Sequence, residues 1–248
     1  MGRALVGFVV MALLLTGCAS GSGAPIASVV ERSPFHRGAH NAVVRVVTDR
    51  RVVALTFDDG PSARNTPRVL RELAHAGARA TFFVVGEAAL QEPAIIRAAV
   101  RAGHEIGDHT FDHARLPSLP GARVAWELDA GARAIEDAGA PAPAYSRPPW
   151  GDFDERVAAI AAAHGRPLVG WDLALDRELD GRGVADGVRR LVARVRRGSI
   201  ILAHDGRGPR DRTLAALPLL LELLRARGFE TVTISGLIDG AGRAARGG

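Results

Sequence analysis

The apolar positions fall into two periods that alternate along most of the chain. Val52-Val53-Ala54-Leu55 is a continuous aliphatic run, stopped soon afterwards by Gly60-Pro61. A run apolar on both faces reads as a strand buried on both sides. Val69, Leu70, Leu73 and Ala74 then recur at helical spacing behind Thr66-Pro67, a capping residue followed by proline at the first helical position, and Gly77 closes the segment. The same alternation continues to the end. Strands are expected at 80–85, 105–107, 144–146, 168–173, 199–203 and 230–234, and helices at 93–102, 121–138, 154–163, 184–197 and 212–227. Ahead of them, 43–47 and 51–55 flank Thr48-Asp49-Arg50 as an expected hairpin. Roughly seven strand–helix units of about 25–30 residues predict an α/β fold with parallel strands and crossover helices. A barrel of fewer than eight strands is the first choice and an open doubly wound sheet the alternative, since the period does not separate them. In both, chemistry collects at the C-terminal ends of the strands.

The two ends of the chain depart from this pattern. Met1-Gly2-Arg3 leads into an apolar stretch over 4–16 that closes on Leu15-Thr16-Gly17-Cys18. One positive charge and a short apolar run make 1–17 a signal peptide, too short to be a comfortable membrane span. Its closing residues resemble the bacterial lipoprotein box, which makes Cys18 the lipidated residue and places the protein in the cell envelope, anchored on the extracytoplasmic side. Residues 18–41, rich in Ser, Gly, Ala and Pro without a period, are expected to be a flexible tether, 42–238 one folded domain, and 239–248 a disordered tail.

Composition narrows the classes. With 248 residues, 47% of them hydrophobic, the chain can bury one sizeable core, and a charged fraction of 24% excludes wholesale disorder. The net charge of +5 rests on arginine alone, and no arginine cluster alternates with aromatics as a nucleic-acid platform requires. No nucleic-acid partner is expected. Cys18 is the single cysteine, so the fold must stand on its core without internal disulfides. A monomer is expected.

Candidate chemistry sits at four of the strand ends. Thr56-Phe57-Asp58-Asp59-Gly60-Pro61 puts two adjacent carboxylates at the tip of a buried strand, where alternation gives them different directions. His109-Thr110-Phe111-Asp112-His113 holds two histidines four apart, the spacing of one side of a helical turn, so both imidazoles can reach one ion, with Asp59 as the natural third ligand. Two imidazoles, one carboxylate and open positions make a hydrolytic metal site. Arg147-Pro148-Pro149-Trp150-Gly151 fixes an arginine that can orient a carboxylate and a tryptophan that offers a face to a sugar ring. Ile200-Ile201-Leu202-Ala203-His204-Asp205 delivers a histidine at another buried strand end. His36, His40, His75, His104 and His164 lack partners at ligand spacing and read as structural or exposed.

In this order the four stretches resemble the polysaccharide deacetylases, the chitooligosaccharide deacetylase-like domains of carbohydrate esterase family four, over about residues 43–237. The resemblance implies a distorted (β/α)7 barrel that removes acetyl groups from N-acetylated sugars of a polysaccharide such as peptidoglycan or a chitin-like glycan. It implies Asp58 as general base, Asp59, His109 and His113 as ligands of a divalent metal, Arg147 holding Asp58, Trp150 lining the site, Leu202 against the acetyl methyl and His204 as general acid. Zinc suits that donor set, with cobalt or nickel able to replace it. One stretch departs from the family pattern: Trp171-Asp172-Leu173-Ala174-Leu175-Asp176-Arg177 lacks the usual Asp-Trp pair. Asp176 is the first candidate to tether His204 and Asp172 the second, and Arg177 stands where an aromatic wall is expected. Two other functions fit the same residues: an O-deacetylase of a glycan such as acetylated xylan, and a carbohydrate-binding envelope lipoprotein with weak catalysis.

Overall fold

In the computed structural model, which describes residues 35–37 and 42–246, β1 (Phe35–Arg37) pairs antiparallel with β2 (Val43–Val46). β1 thus lies inside the stretch expected to be tether. The expected hairpin does not form, because β3 (Val52–Asp58) is buried at every position and has both edges taken by parallel neighbours. Its partners are β4 (Thr81–Val84) on one side, β7 (Ile200–His204) on the other, and β8 (Glu230–Val232) at its N-terminal end. β2 is left beneath the sheet, bonded through Val46 N–H to the Gly198 carbonyl.

β3 alternates between two apolar environments, and this decides where the chemistry goes. Val53, Leu55 and Phe57 face the helices α1 (Thr66–His75), α3 (Pro93–Arg101), α7 (Val184–Arg194) and α8 (Asp211–Ala226), and belong to the larger core with Leu73, Ile96, Leu191 and Leu217. Val52 and Ala54 belong instead to an inner cluster with Phe83, Val169, Ile200 and Leu237. Thr56 and Asp58 continue that inner face by the two-residue period. β7 repeats the arrangement: Ile201 and Ala203 join the outer core, Ile200 the inner one, so Leu202 and His204 face inward. Phe57 stacks on Phe82 with ring centroids 5.2 Å apart. Burying such a side chain contributes on the order of 1.5–3 kcal/mol.

The ladder runs β5 (Glu105–Asp108), β4, β3, β7 and β6 (Leu173–Ala174), all parallel. Among the described residues the unbroken ladder covers these five strands, and isolated bridges carry the pairing round between its two ends. Single parallel bridges, Asp108 to Ser146 and Ser146 to Leu168, carry the pairing on from β5, and the segment that starts at Leu168 enters β6 beside β7. The strands expected at 144–146 and 168–173 are therefore one bridge and one bridge plus a two-residue strand. Crossover helices α2 (Gly86–Gln91), α3, α4 (Gly121–Asp137), α5 (Glu155–Ala163), α6 (Leu175–Leu179), α7 and α8 complete the parallel α/β architecture. α9 (Ile234–Arg246) runs through most of the stretch expected to be a disordered tail. No described helix is long and apolar enough to cross a membrane. The signal peptide, Cys18 and most of the expected tether lie outside the described residues.

Candidate active site

Asp58 ends β3 on its inner face and is buried. Its Oδ1 accepts a 2.7 Å hydrogen bond from Arg147 Nη1. Arg147 has no exposed surface, yet its donors are met: Nη1 also reaches Thr56 Oγ1 at 2.8 Å, Nε the Val169 carbonyl at 3.1 Å and Nη2 the Gly170 carbonyl at 2.9 Å. The guanidinium lies over Phe83, 4.1 Å from the ring centroid. Burial alone pulls the Arg147 pKa down, against the Asp58 charge that raises it. A buried cation so completely bonded is a fixed clamp on one carboxylate oxygen.

Asp59 leaves the strand in the left-handed region, at φ 74°, which sends its side chain away from Asp58. Its Oδ1 lies 3.1 Å from His113 Nε2 and 3.5 Å from His109 Nε2, and its Oδ2 accepts from Arg210 Nη2 at 3.0 Å. Burial pushes the Asp59 carboxyl up, but the two histidines outweigh it and hold the group below the usual carboxylate range. The histidines do not share a helical turn. His109 follows β5 directly and His113 sits in a loop in which Thr110 and His113 both take positive φ, 67° and 65°. That loop is tied by buried carboxylates: Asp108 Oδ1 accepts from Thr110 N–H at 2.9 Å, and Glu127 Oε2 from Phe111 and Asp112 N–H at 3.1 and 3.2 Å. Burial pushes Asp108 up to about 7.

Among the described residues, Asp59, His109 and His113 form the one group whose donor atoms all lie within 4.8 Å of one another. The hydrogen bonding of His109 tests whether the group suits a cation. His109 Nδ1 stands 2.6 Å from the Arg147 carbonyl oxygen, which can only accept, so Nδ1 carries a proton and Nε2 is the ring atom turned toward Asp59. With Nδ1 so engaged, Nε2 is the nitrogen left to share one cation with Asp59 and His113. The donor set fits a divalent metal.

His204 ends β7 as the register partner of Asp58. Its Nδ1 donates to Asp176 Oδ2, and Asp176 Oδ1 accepts from Thr213 Oγ1 at 2.9 Å. Burial pulls the His204 pKa down, but the Asp176 bond and the charges of Asp58, Asp176 and Asp59 prevail and raise it. Of the two tether candidates, Asp176 is the one that meets His204. Asp172 is bound to Ser199 Oγ and Ile200 N–H, both at 2.8 Å, and braces the start of β7. Leu202 is buried on the same inner face as His204. Trp150, at φ 58°, is 62% exposed, and its ring meets the His113 ring edge-on with centroids 4.4 Å apart, so it forms an open wall beside the histidines. Arg177 is exposed and lines a neighbouring cavity of about 680 Å³ together with Asp176, Arg210 and Arg212.

Three supporting residues have no role in the sequence reading. Arg210 meets Asp59 across 151 positions and Glu127 meets Phe111 across 16, and neither belongs to a motif. Asp205 is fully buried beneath the Asp59-Gly60 turn, where its Oδ2 accepts from the Thr66 hydroxyl. Burial pushes it up to about 7. A Cβ on Gly60 would lie 2.5 Å from Asp205 Oδ1, which explains the glycine. Thr66 is occupied here, and Asn65 takes the N-cap position of α1 in its place.

Residues 45–169 match the family model described as polysaccharide deacetylase. The chain is 33% identical over 194 residues to a peptidoglycan-N-acetylglucosamine deacetylase of Bacillus cereus, covering 78% of this chain and 91% of the relative. It is 38% identical over 196 residues to a chitooligosaccharide deacetylase of a Bradyrhizobium species, covering 74% and 89%. A family 4 carbohydrate esterase from Streptomyces lividans, solved with acetate, superposes with a TM-score of 0.69 at 33% identity, over 75% of this chain and 94% of that one. Similarity of this extent includes the strand ends that carry Asp58, Asp59, His109, His113 and Arg147, and the chain belongs to the polysaccharide deacetylase family.

Proposed function

We propose that this protein hydrolyses the acetamide of N-acetylated sugar residues in a cell-envelope polysaccharide, peptidoglycan or a chitin-like glycan, releasing acetate and leaving a free amine. The observation that carries the reading is the pairing of Asp58 with His204 across β3 and β7, the first held by the buried Arg147 and the second by the half-buried Asp176, beside the Asp59–His109–His113 cluster. The names of the Bacillus and Bradyrhizobium relatives support an N-acetylated glycan as substrate.

Amide hydrolysis needs a proton removed from water and a proton given to the departing nitrogen. Asp58 is suited to the first task. Arg147 occupies Oδ1, fixing the carboxylate, while Oδ2 faces the cluster 4.0 Å from His109 Nε2. His204 is suited to the second. Its Nδ1 is committed to Asp176, so Nε2 is the atom that faces substrate, and the Asp176 bond with the neighbouring carboxylate charges raises its pKa against burial, favouring the proton-carrying form. The water's proton goes to Asp58, its oxygen to the acetyl carbon, and the His204 proton to the amine as the C–N bond breaks. Asp59, His109 and His113 would hold the divalent metal, zinc in the first instance and cobalt or nickel in its place. When bound, such an ion supplies acidification of water and polarisation of the acetyl carbonyl. Leu202 offers an apolar surface for the acetyl methyl, and Trp150 a face for a sugar ring.

Acetate release from N-acetylated chitooligosaccharide and from peptidoglycan tests this directly, run with chelator, after zinc addition, and beside acetylated xylan. Turnover on the amides that chelation abolishes and zinc restores is the expected result. Turnover confined to xylan esters, or none on any substrate with metal present, overturns it. The envelope location rests on the residues before Cys18: labelled fatty acid should enter the wild type and not Cys18→Ala, and a wild type that takes up no label refutes the anchor.

A further inference from the structure

We infer that Glu127 is the positioning residue for His113, acting through the backbone of residues 111 and 112. The inference rests on reading Asp59, His109 and His113 as the metal-binding cluster. The two histidines are held in unlike ways. His109 is fixed twice, by its N–H to the Val84 carbonyl at 2.9 Å and by its ring Nδ1 to the Arg147 carbonyl at 2.6 Å. His113 Nδ1 is buried and finds no hydrogen-bond partner among the described residues. An imidazole that binds metal is ordinarily oriented by the bond its other nitrogen makes. His113 has none, so its place is set by the Trp150 contact and by the loop that carries it.

The loop in turn depends on Glu127. It adopts neither helix nor strand, and two of its non-glycine residues, Thr110 and His113, hold left-handed backbone conformations that cost energy unless the surroundings impose them. Its inner amides converge on carboxylates: Thr110 N–H on Asp108, then Phe111 and Asp112 N–H together on one oxygen of Glu127. Glu127 comes from α4 with no exposed surface, and its other oxygen pairs with Arg123 Nη2 at 2.7 Å. Arg123 also reaches Asp112 Oδ2 at 3.3 Å, closing the clamp from outside. Without the Glu127 carboxylate, the Phe111 and Asp112 amides lose their shared acceptor and the hydrogen-bond energy that goes with it. The loop can recover that energy only by turning the amides elsewhere, which moves His113 away from Asp59.

Zinc affinity, measured by competition with a chromophoric chelator, tests the inference, with the visible spectrum of the cobalt-substituted protein as a second readout. Glu127→Ala should weaken zinc binding about 10–100-fold, the range for lost outer partners of a metal ligand. Glu127→Gln keeps an oxygen for the same amides and should restore most of it. In a His113→Ala background, Glu127→Ala should add almost nothing, since both changes remove the same ligand. A folded Glu127→Ala protein that binds zinc within twofold of wild type, or an effect that persists undiminished without His113, overturns the inference. The wild type provides a test independent of folding in the variant: the Phe111 and Asp112 amides should resist hydrogen exchange as core amides do, and rapid exchange at both overturns it as well. Wild-type protein that binds no zinc at all refutes the metal cluster itself, a separate outcome.

Discussion

Asp58 and Asp59 are neighbours in sequence with separate surroundings, and single substitutions should separate them in function. Asp58→Asn keeps an oxygen for Arg147 but removes the basic one. Loss of a general base lowers kcat about 10²–10⁴-fold, while metal content, assigned in the proposal to Asp59, His109 and His113, should stay at the wild-type level. The change also leaves Arg147 buried beside a neutral partner, and breaking a buried ion pair costs about 3–5 kcal/mol. Melting should therefore be followed alongside kcat so that a fall in activity is measured on folded protein. Near-normal kcat removes Asp58 from the role of base, and loss of metal means that the two aspartates have exchanged roles. The His204–Asp176 pair makes a different prediction, in pH. As the proposed acid, His204 serves only while protonated, so activity should fall as pH rises through its pKa, which is raised from the ordinary 6.5. Burial pulls that value down and Asp176 is the largest influence raising it. Asp176→Asn should then move the alkaline limb of the pH–kcat/KM profile to lower pH. An unmoved limb means another group governs it.

At the scale of elements, α4 shows how a helix serves the site by what it omits. Gly131 lies mid-helix, where glycine is less favourable than alanine by about 1 kcal/mol, so propensity alone makes Gly131→Ala stabilising. A Cβ there would stand 2.3 Å from Asp108 Oδ1 and 3.0 Å from the Thr110 carbonyl carbon. Asp108 cannot give way, because its two oxygens are already bonded to Thr110 N–H and Ser146 Oγ. Gly131→Ala is expected to lower the melting temperature and weaken zinc binding together, and a higher melting temperature with unchanged zinc affinity contradicts that account. The same residues mark what the sequence makes legible. β3 and β7 are readable because unbroken apolar runs must be buried on both faces, and the spacing of His109 and His113 marks them as a candidate pair for one ion. Their conformation was not readable: the spacing suits a helical turn, whereas buried carboxylates impose a left-handed loop. The strands expected around Ser146 and Leu168 are present only as bridges, Ser146 pairing with Asp108 on one side and with Leu168 on the other, a contraction that the apolar pattern does not reveal. Arg210 and Glu127 escaped because their contacts join distant elements, and a lone charged residue carries no periodic signal.

For the molecule as a whole, the site spans elements that the unfolded chain does not bring together. Asp59 leaves β3, His109 and His113 follow β5, and the larger core includes none of the three. Two consequences oppose each other. The metal-free protein should remain folded, since Leu55, Phe57, Leu73, Ile201 and Leu217 pack without help from the site. Yet metal should stabilise it, because the complete donor set exists only in the folded state. That linkage gives about 2.7 kcal/mol at a free concentration of 100 Kd. For a domain of this size each kcal/mol shifts the melting temperature by about 2–4 °C, so zinc should raise it by several degrees. The rise should grow with the logarithm of free zinc and vanish in His113→Ala, which has lost a ligand. In Asp58→Asn it should persist, because that side chain is held by Arg147 and lies outside the cluster. Calorimetric melting across a zinc series in the three proteins measures all of this at once. A shift that survives in His113→Ala places the ion elsewhere in the molecule, and a metal-free wild type that is already unfolded shows that the core cannot stand without it.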